Sequence, residues 1–138
     1  MWPPASNLEG RINGSMPYRI LIVDDSPLVR HSIRSCLEQN AGWTVCGEAE
    51  NGQVAVEKVK ELHPDVVILD LAMPVMNGLE AARQIKVVAP NTAMLMFTMH
   101  CCGQLVKDAH AAGITNVVSK SEGLADQLLA SLSEICAA

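Results

Sequence analysis

The sequence predicts an α/β fold built on a parallel sheet, and two observations lead to this prediction. Short apolar runs recur along the chain, and amphipathic stretches with helical spacing separate them. The runs are apolar on both alternating faces, which is typical of strands that helices cover on both sides. Five β-then-α units predict right-handed crossovers and an open α/β sandwich.

Four of the predicted strands are apolar runs rich in branched or sulfur-bearing residues. The second strand alternates more regularly and carries Glu48, so we expect it at the edge of the sheet. In chain order the predicted strands are Ile20–Val23, Thr44–Ala49, Val66–Leu69, Ala93–Phe97 and the brief Val117-Val118 pair.

Between the strands, apolar residues recur at the spacing of amphipathic helices. Pro27 suits the first turn of a helix, and Asn77 with Glu80 three residues later resembles a capping box. The clearest helical sets are Val29, Ile33, Cys36 and Leu37, then Ala55, Val59 and Leu62, and finally Leu124, Leu128, Leu132 and Ile135.

Length and composition restrict the class of protein. The chain has 138 residues, enough for one domain, and 49% of them are hydrophobic, enough to fill a core. No uninterrupted apolar run approaches the ~20 residues that span a bilayer, which argues against an integral membrane protein. The 15 acids against 10 bases argue against a nucleic-acid binder that works by charge alone. Five cysteines without a C-x-x-C pair fit a reducing cytoplasm.

Residues 1–17 are predicted to lie outside the fold. They contain three prolines and two glycines without a sustained period. Gly14-Ser15 directly before Met16 is typical of a cloning scar ahead of a native start, and a natural disordered arm is the alternative. We therefore expect one domain over residues 18–138.

Polar side chains follow the predicted strands at the ends where ligands collect in open α/β sheets. Asp24 and Asp25 follow the first strand, Asp70 the third, Thr98 the fourth and Lys120 the fifth. Because the carboxyl ends of parallel strands meet at one rim, these three carboxylates and the lysine should converge. Carboxylates this close repel one another unless a cation is present, and Mg²⁺ with oxygen ligands is the natural complement.

Mg²⁺ beside a carboxylate indicates phosphoryl chemistry. A carboxylate can accept a phosphoryl group, while the metal and a lysine offset charge on the transferring oxygens. A threonine hydroxyl at the next strand end can then hydrogen-bond the new phosphate. The residues alone therefore favour an aspartyl-phosphate switch.

Four stretches resemble a known family in order and spacing: ILIVDDSPLVR, VVILDLAMPVMNGLEAARQIK, MLMFTMH and VVSKS. Together they resemble the receiver domain of two-component response regulators, over nearly everything from Tyr18 onward. The resemblance implies a flavodoxin-like (βα)5 three-layer sandwich with a five-stranded parallel sheet of order 2-1-3-4-5. NGLEAARQIK and the Lys-Ser pair are most similar to the receivers of LuxR/NarL-type transcriptional regulators.

The resemblance implies a metal site in which Asp24 and Asp25 match the acidic pair that holds Mg²⁺. Asp25 is expected to bind the ion directly and Asp24 through water. Asp70 and the backbone carbonyl of Ala72 complete the predicted ligands.

The resemblance also implies the residues of the phosphorylation chemistry. Asp70 matches the phosphoacceptor, and Lys120 matches the lysine that pairs with the acceptor carboxylate and later with the phosphate. Thr98 matches the hydroxyl that turns inward when phosphate arrives. Pro74 and Gly78 match positions that shape the loop after the acceptor strand.

Two positions depart from the family pattern, and a third could affect the hydrolysis of the phosphate. Val117 stands where the family commonly has Tyr or Phe, so the usual aromatic reporter of Thr98 movement is missing. Ser121 stands where many members have proline. His100, two residues after Thr98, could orient the water that hydrolyses the phosphate, and a solvated loop histidine is the alternative.

The resemblance implies a switch whose Asp70 is phosphorylated by a sensor histidine kinase. We expect no enzymatic activity beyond its own aspartyl phosphorylation and dephosphorylation. The implied output is transcription regulation in the cytoplasm, read out through a homodimer or another protein contact. Direct contact of this domain with nucleic acid or a membrane is not expected.

The end of the chain at Ala138 leaves two alternatives for the output. A regulator cut before a C-terminal helix-turn-helix domain, which would contact DNA, is favoured over a stand-alone receiver that acts by protein contact. A degenerate receiver that works without phosphorylation is a third reading, which Val117 keeps open.

Two other classes of protein fit the sequence less well. A phosphatase of the haloacid-dehalogenase type would have a second Asp two residues after the nucleophile, where this chain has Ala72. A flavin carrier would have a Ser/Thr/Gly-rich phosphate loop after the first strand, where VDDSP places two anions.

Overall fold

Five parallel strands alternate with five helices along the described chain, which comprises residues 17–99, 102–120 and 124–137 of this computed structural model. The strands form one sheet in the order β2-β1-β3-β4-β5. The strands are β1 (Tyr18–Val23), β2 (Trp43–Ala49), β3 (Val66–Leu69), β4 (Ala93–Thr98) and β5 (Asn116–Ser119). The helices are α1 (Pro27–Glu38), α2 (Gly52–Leu62), α3 (Gly78–Val88), α4 (Gly103–Ala111) and α5 (Leu124–Ala137).

The predicted α/β class and the strand order implied by the resemblance are confirmed. Strand β3 has the predicted bounds, and β2, which was expected at an edge, lies at one. Strand β1 begins two residues before the predicted start and β2 one residue before it. Residues 1–16, His100 and Ser121 lie outside the described residues, so the predictions that concern them stay predictions.

The sheet lies between two layers of helices because its strands carry apolar side chains on both faces. In β1, Leu21 belongs to the core shared with α2, α3 and α4, whereas its neighbours Ile20 and Ile22 belong to the core shared with α1 and α5. All three side chains are fully buried, and each such burial contributes about 1.5–3 kcal/mol relative to exposure. The continuous apolar runs of the sequence are the direct cause of this three-layer arrangement.

Side-chain caps lie at the start of α1 and of α3. The Ser26 hydroxyl accepts the Val29 N–H at 3.3 Å at the start of α1, where Pro27 occupies the first turn as predicted. The Asn77 side chain accepts the Glu80 N–H at 2.9 Å at the start of α3. These caps satisfy backbone donors that have no partner inside the helix, and they fix where the chain leaves the rim of the sheet.

The loop between β3 and α3 is compact because a glycine lies against backbone at its end. A Cβ atom on Gly78 would lie 2.1 Å from the Asp70 carbonyl oxygen, and the Gly78 N–H donates to the Leu71 carbonyl at 2.8 Å. Within the loop, Val75 has a φ of 69°, and the Met76 N–H donates to the Pro74 carbonyl at 2.7 Å. The glycine therefore lets α3 begin directly beneath the end of β3.

The close approach of Gly78 to Asp70 leads to a test of stability. We expect Gly78→Ala to lower the free energy of unfolding by about 2–4 kcal/mol, because the new methyl group would overlap fixed backbone. Gly103→Ala is the matched control, since Gly103 is also the first residue of its helix but a Cβ there meets nothing within 4 Å. We expect this control to gain about 0.5 kcal/mol. Urea denaturation measures both, and equal effects of the two substitutions would contradict the steric argument.

Candidate functional site

The predicted site residues converge at the carboxyl rim of the sheet. Asp24 and Asp25 follow β1, and Asp70 follows β3, which pairs directly with β1 through Val23 and Leu69. One carboxylate oxygen from each of these three aspartates lies within 4.8 Å of the others. The structure therefore brings together the three carboxylates that the sequence placed at strand ends.

The burial of the three carboxylates differs. Asp24 is 2% exposed and Asp70 is 7% exposed, whereas Asp25 is exposed to solvent. One Asp24 carboxylate oxygen accepts the Ser26 N–H at 2.9 Å, and one Asp70 carboxylate oxygen accepts the Leu71 N–H at 2.8 Å. The two buried carboxylates are thus oriented by the backbone of the turns that follow their strands, while Asp25 faces the water.

Lys120 follows β5 at one edge of the sheet, and its side chain extends along the rim to the two buried carboxylates. Its ammonium nitrogen lies 2.6 Å from an Asp24 oxygen and 3.4 Å from an Asp70 oxygen. The resemblance implied a pair with the acceptor Asp70, and the structure adds a shorter contact with Asp24. Placed between two buried like charges, the ammonium reduces their repulsion and lets both stay out of water.

Thr98 and Phe97 complete the rim around the lysine. Thr98 is fully buried at the end of β4, and its carbonyl accepts the Lys120 N–H at 2.9 Å. The Lys120 ammonium also lies 5.8 Å from the centre of the Phe97 ring, a separation at which the ring face attracts a cation. Backbone and ring together direct the lysine side chain toward the carboxylates.

Burial raises the pKa of the Asp70 carboxyl above its ordinary value. The positive charge of Lys120 opposes this shift, and the Asp24 carboxylate adds to it. The hydrogen bond from the Leu71 N–H also favours the charged form but does not reverse the shift. In this environment the Asp70 carboxyl is costly to ionise in the folded chain. The cost falls when a further cation binds nearby.

The loop residue Ala72 lies two positions after Asp70 and is exposed. Its carbonyl was implied as a metal ligand by the resemblance, and that role stays a prediction. Sequence reasoning missed Ser26 as a partner of Asp24, although a serine directly before a first-turn proline is a signal for a helix cap. It also missed the positive φ of Val75, for which a β-branched residue gives no signal.

None of the helices in the described part of the chain is both long enough and apolar enough to span a bilayer.

A parallel α/β sheet of this order, with a carboxylate cluster and a lysine at one rim, defines a class of protein: a flavodoxin-like domain with a candidate cation site at the strand ends. The response regulator receiver domain family matches residues 20–133 of the chain. The chain therefore belongs to the receiver domains of two-component response regulators.

Two curated relatives show the breadth of this similarity. Chemotaxis protein CheY of Thermotoga maritima is 39% identical over 105 residues, which cover 76% of this chain and 87% of that protein. Transcriptional regulatory protein YdfI of Bacillus subtilis is 52% identical over 68 residues, which cover 49% of this chain and 32% of that protein. The chain thus spans most of the first relative and about a third of the second.

Solved structures agree with the fold. A two-component response regulator of the LuxR family from Aurantimonas matches with a TM-score of 0.83 at 33% identity, covering 88% of this chain and 86% of that one. The CheX-CheY-BeF3-Mg²⁺ complex from Borrelia burgdorferi contains a chain that matches with a TM-score of 0.84 at 26% identity, covering 90% of this chain and 92% of that one. The predicted likeness to LuxR-type receivers is confirmed, and chemotaxis proteins are similar as well.

Because the pKa of Asp70 is raised, we expect the variant Asp70→Asn to be more stable than the native chain by an amount that depends on pH. Below the pKa of an unfolded aspartate, about 3.9, Asp70 and an asparagine are both neutral. As pH rises through the higher pKa of the folded chain, the native protein loses stability because the buried carboxyl must ionise. We therefore expect Asp70→Asn to become increasingly more stable than the native chain as pH rises above about 4, until the raised pKa of the folded Asp70 carboxyl is passed, and the difference to stay level at higher pH.

Urea denaturation in the presence of EDTA, repeated across this pH range, measures the difference. Asp25→Asn is the matched control, since it removes an exposed carboxylate from the same cluster, and we expect a smaller change. A stability difference for Asp70→Asn that does not vary with pH would show that ionisation of Asp70 carries no penalty in the fold.

Proposed function

We propose that the chain is a phosphorylation-controlled switch in which Asp70 accepts a phosphoryl group from the phosphohistidine of a sensor kinase. The observation that carries this proposal is the cluster of Asp24, Asp25 and Asp70, whose carboxylate oxygens lie within 4.8 Å, with the Lys120 ammonium beside it. Beyond its own phosphorylation and dephosphorylation, the proposed switch has no substrate to turn over.

The donor set fits Mg²⁺. Three carboxylates and one ammonium leave a charge of −2 at the rim, and hard oxygen donors suit a small divalent ion. Asp25 is exposed and suited to bind the ion directly, together with Asp70 and the Ala72 carbonyl. Both oxygens of Asp24 already accept hydrogen bonds, from the Ser26 N–H and from Lys120, which supports contact through a water molecule. When bound, Mg²⁺ supplies positive charge against the phosphoryl oxygens.

The residues of the chain perform the transfer in the following way. A carboxylate oxygen of Asp70 forms a bond to phosphorus, the phosphorus–nitrogen bond to the donor imidazole breaks, and the imidazole keeps the electron pair. Lys120, 3.4 Å from Asp70, offsets the charge of the new phosphate. The Thr98 hydroxyl at the adjacent strand end is the group proposed to turn inward and hydrogen-bond it.

The likeness to solved and curated receivers supports both the chemistry and the output. The complex from Borrelia burgdorferi contains BeF3 and Mg²⁺ with a receiver of the same fold. The similarity to a LuxR-family response regulator and to a transcriptional regulatory protein supports transcription regulation as the output. We propose that this output is exerted in the cytoplasm, through a homodimer and a C-terminal helix-turn-helix domain that contacts DNA. A stand-alone receiver is the second candidate, because the chain spans 87% of the chemotaxis protein from Thermotoga maritima.

Incubation with Mg²⁺ and acetyl phosphate tests the proposed chemistry. We expect a shifted, alkali-labile band on a phosphate-affinity gel, because a small phosphodonor replaces the kinase and the receiver catalyses the transfer itself. Asp70→Asn should abolish the band, and EDTA should prevent its formation. Asp108→Asn removes a carboxylate from the surface of α4, where it accepts a bond from Gln104, and should leave the band unchanged. No shift of the folded native chain, or a shift that persists in Asp70→Asn, would contradict the proposal.

A further inference from the structure

Arg30 connects the acidic rim to the edge of the sheet through two hydrogen bonds. From the first turns of α1, its Nη1 donates to the Asp24 carbonyl oxygen at 2.6 Å. Its Nε donates to a Glu48 carboxylate oxygen at 2.9 Å. The side chain is only 16% exposed, so both bonds lie in a setting with limited access to water. The role of this arginine is not among those that the sequence predicted.

The bond to Asp24 fixes a peptide group on which the cluster depends. The Asp24 N–H donates to the Ala49 carbonyl at 3.0 Å, so the backbone on one side of Asp24 is already set by the end of β2. Arg30 sets the other side, where the carbonyl belongs to the peptide that leads into Asp25. Because Asp24 is 2% exposed in the folded chain, its carbonyl relies on a protein donor, and Arg30 supplies that hydrogen bond. The orientation of this peptide helps to set the position of the Asp25 backbone, and hence the region that the Asp25 carboxylate can reach.

Glu48, the second partner of the Arg30 guanidinium, is itself held in place by other residues. Glu48 lies in β2 opposite Ile22, and its second carboxylate oxygen binds Arg34 at 2.7 Å. Burial acts to raise the pKa of Glu48, but its hydrogen bonds to Arg34 and Arg30 outweigh burial and lower it. The Lys58 ammonium donates to the Glu48 backbone carbonyl. Glu48 is therefore a charged and fixed partner that leaves the Arg30 guanidinium little freedom to rotate.

We propose that Arg30 is a positioning residue for the metal and phosphoryl chemistry of the rim. By fixing the Asp24–Asp25 peptide against Glu48, it keeps the exposed Asp25 carboxylate beside Asp24 and Asp70. This inference rests on the proposed function, because it concerns the site at which Mg²⁺ and the phosphoryl group would bind.

The direction of the change in Mg²⁺ affinity when Arg30 is removed distinguishes a positioning role from a role of charge alone. Arg30 is a cation near three carboxylates, so if its charge were all that mattered, removing it would strengthen the binding of a divalent cation. If it acts by position, removing it frees the peptide before Asp25 and weakens that binding. Groups that orient metal ligands typically change metal affinity about 10–100-fold when they are lost.

A pair of matched variants tests the proposal with Mg²⁺ itself as the probe. Arg30→Met and Arg34→Met each remove one guanidinium from Glu48, but only Arg30 contacts Asp24. We expect Arg30→Met to raise the Mg²⁺ dissociation constant about tenfold, and Arg34→Met to change it by less than about twofold. Calorimetric titration measures both without relying on phosphorylation, and far-ultraviolet circular dichroism verifies that the variants are folded.

Conservative variants keep the test decisive if Arg30→Met does not fold. A lysine at position 30 retains the charge but cannot donate to the Asp24 carbonyl and to Glu48 through one planar fork. We expect Arg30→Lys to bind Mg²⁺ about two- to fivefold more weakly than Arg34→Lys. Affinities that are equal in each matched pair, or tighter binding by Arg30→Met, would overturn the positioning role. A native chain that does not bind Mg²⁺ at all would instead overturn the proposed function.

Discussion

The contact of one ammonium with two buried carboxylates is the interaction on which the rim of this domain depends. Asp24 and Asp70 follow neighbouring strands, so the sheet itself forces two like charges side by side out of water. Lys120 comes from β5, which is separated from β3 by β4, and lies within 2.6 Å of one carboxylate and 3.4 Å of the other. A buried carboxylate without such a partner would be strongly destabilising, so the lysine is needed for the native chain to keep both charges.

This dependence couples the site to the completeness of the sheet. Lys120 is directed by its own N–H, which donates to the Thr98 carbonyl, and that bond exists only where β5 has paired with β4. The carboxylates are contributed by the opposite half of the sheet, 96 residues away in sequence for the Asp24 contact. Even so, the rim retains a charge of −2, because three carboxylates face one ammonium. The fold thus accepts an electrostatic cost at the place where a cation and a phosphoryl group are proposed to bind.

Most of the fold and the members of the site could be predicted from the sequence, because both follow from local pattern and topology. Strand β3 is an apolar run bounded by Asp65 and Asp70, so its limits coincide with the change in polarity. The start of β1 was placed too late because Arg19 interrupts the apolar pattern. Its guanidinium leaves the sheet and donates to the Leu62 and His63 carbonyls, a long-range contact that no local pattern reveals.

What could not be predicted are the contacts that depend on register and on backbone conformation. Glu48 of β2 pairs with Ile22 of β1, and this register places the Glu48 carboxylate beside Arg30. Arg30 and Glu48 are 18 residues apart in sequence, and this spacing carries no periodic signal for their contact. Val75 adopts a left-handed φ of 69°, which a β-branched residue disfavours by about 1–3 kcal/mol. The compact loop that ends at Gly78 imposes it, so tertiary structure overrides the local preference of the valine.

The contacts around the rim also divide it into a fixed part and a part that can respond. Asp24 accepts or donates through its N–H, its carbonyl and both carboxylate oxygens, so its place is determined from four directions. Under the proposed function, a new phosphate on Asp70 attracts the Lys120 ammonium more strongly than the single charge of Asp24 does. The lysine can move toward the phosphate while Asp24 stays oriented by Ser26 and Arg30. Because Lys120 is bonded to the Thr98 backbone, its displacement under the proposed function would act on β4 and β5, while β1 and the turn after it would remain a rigid frame for the proposed metal ligands.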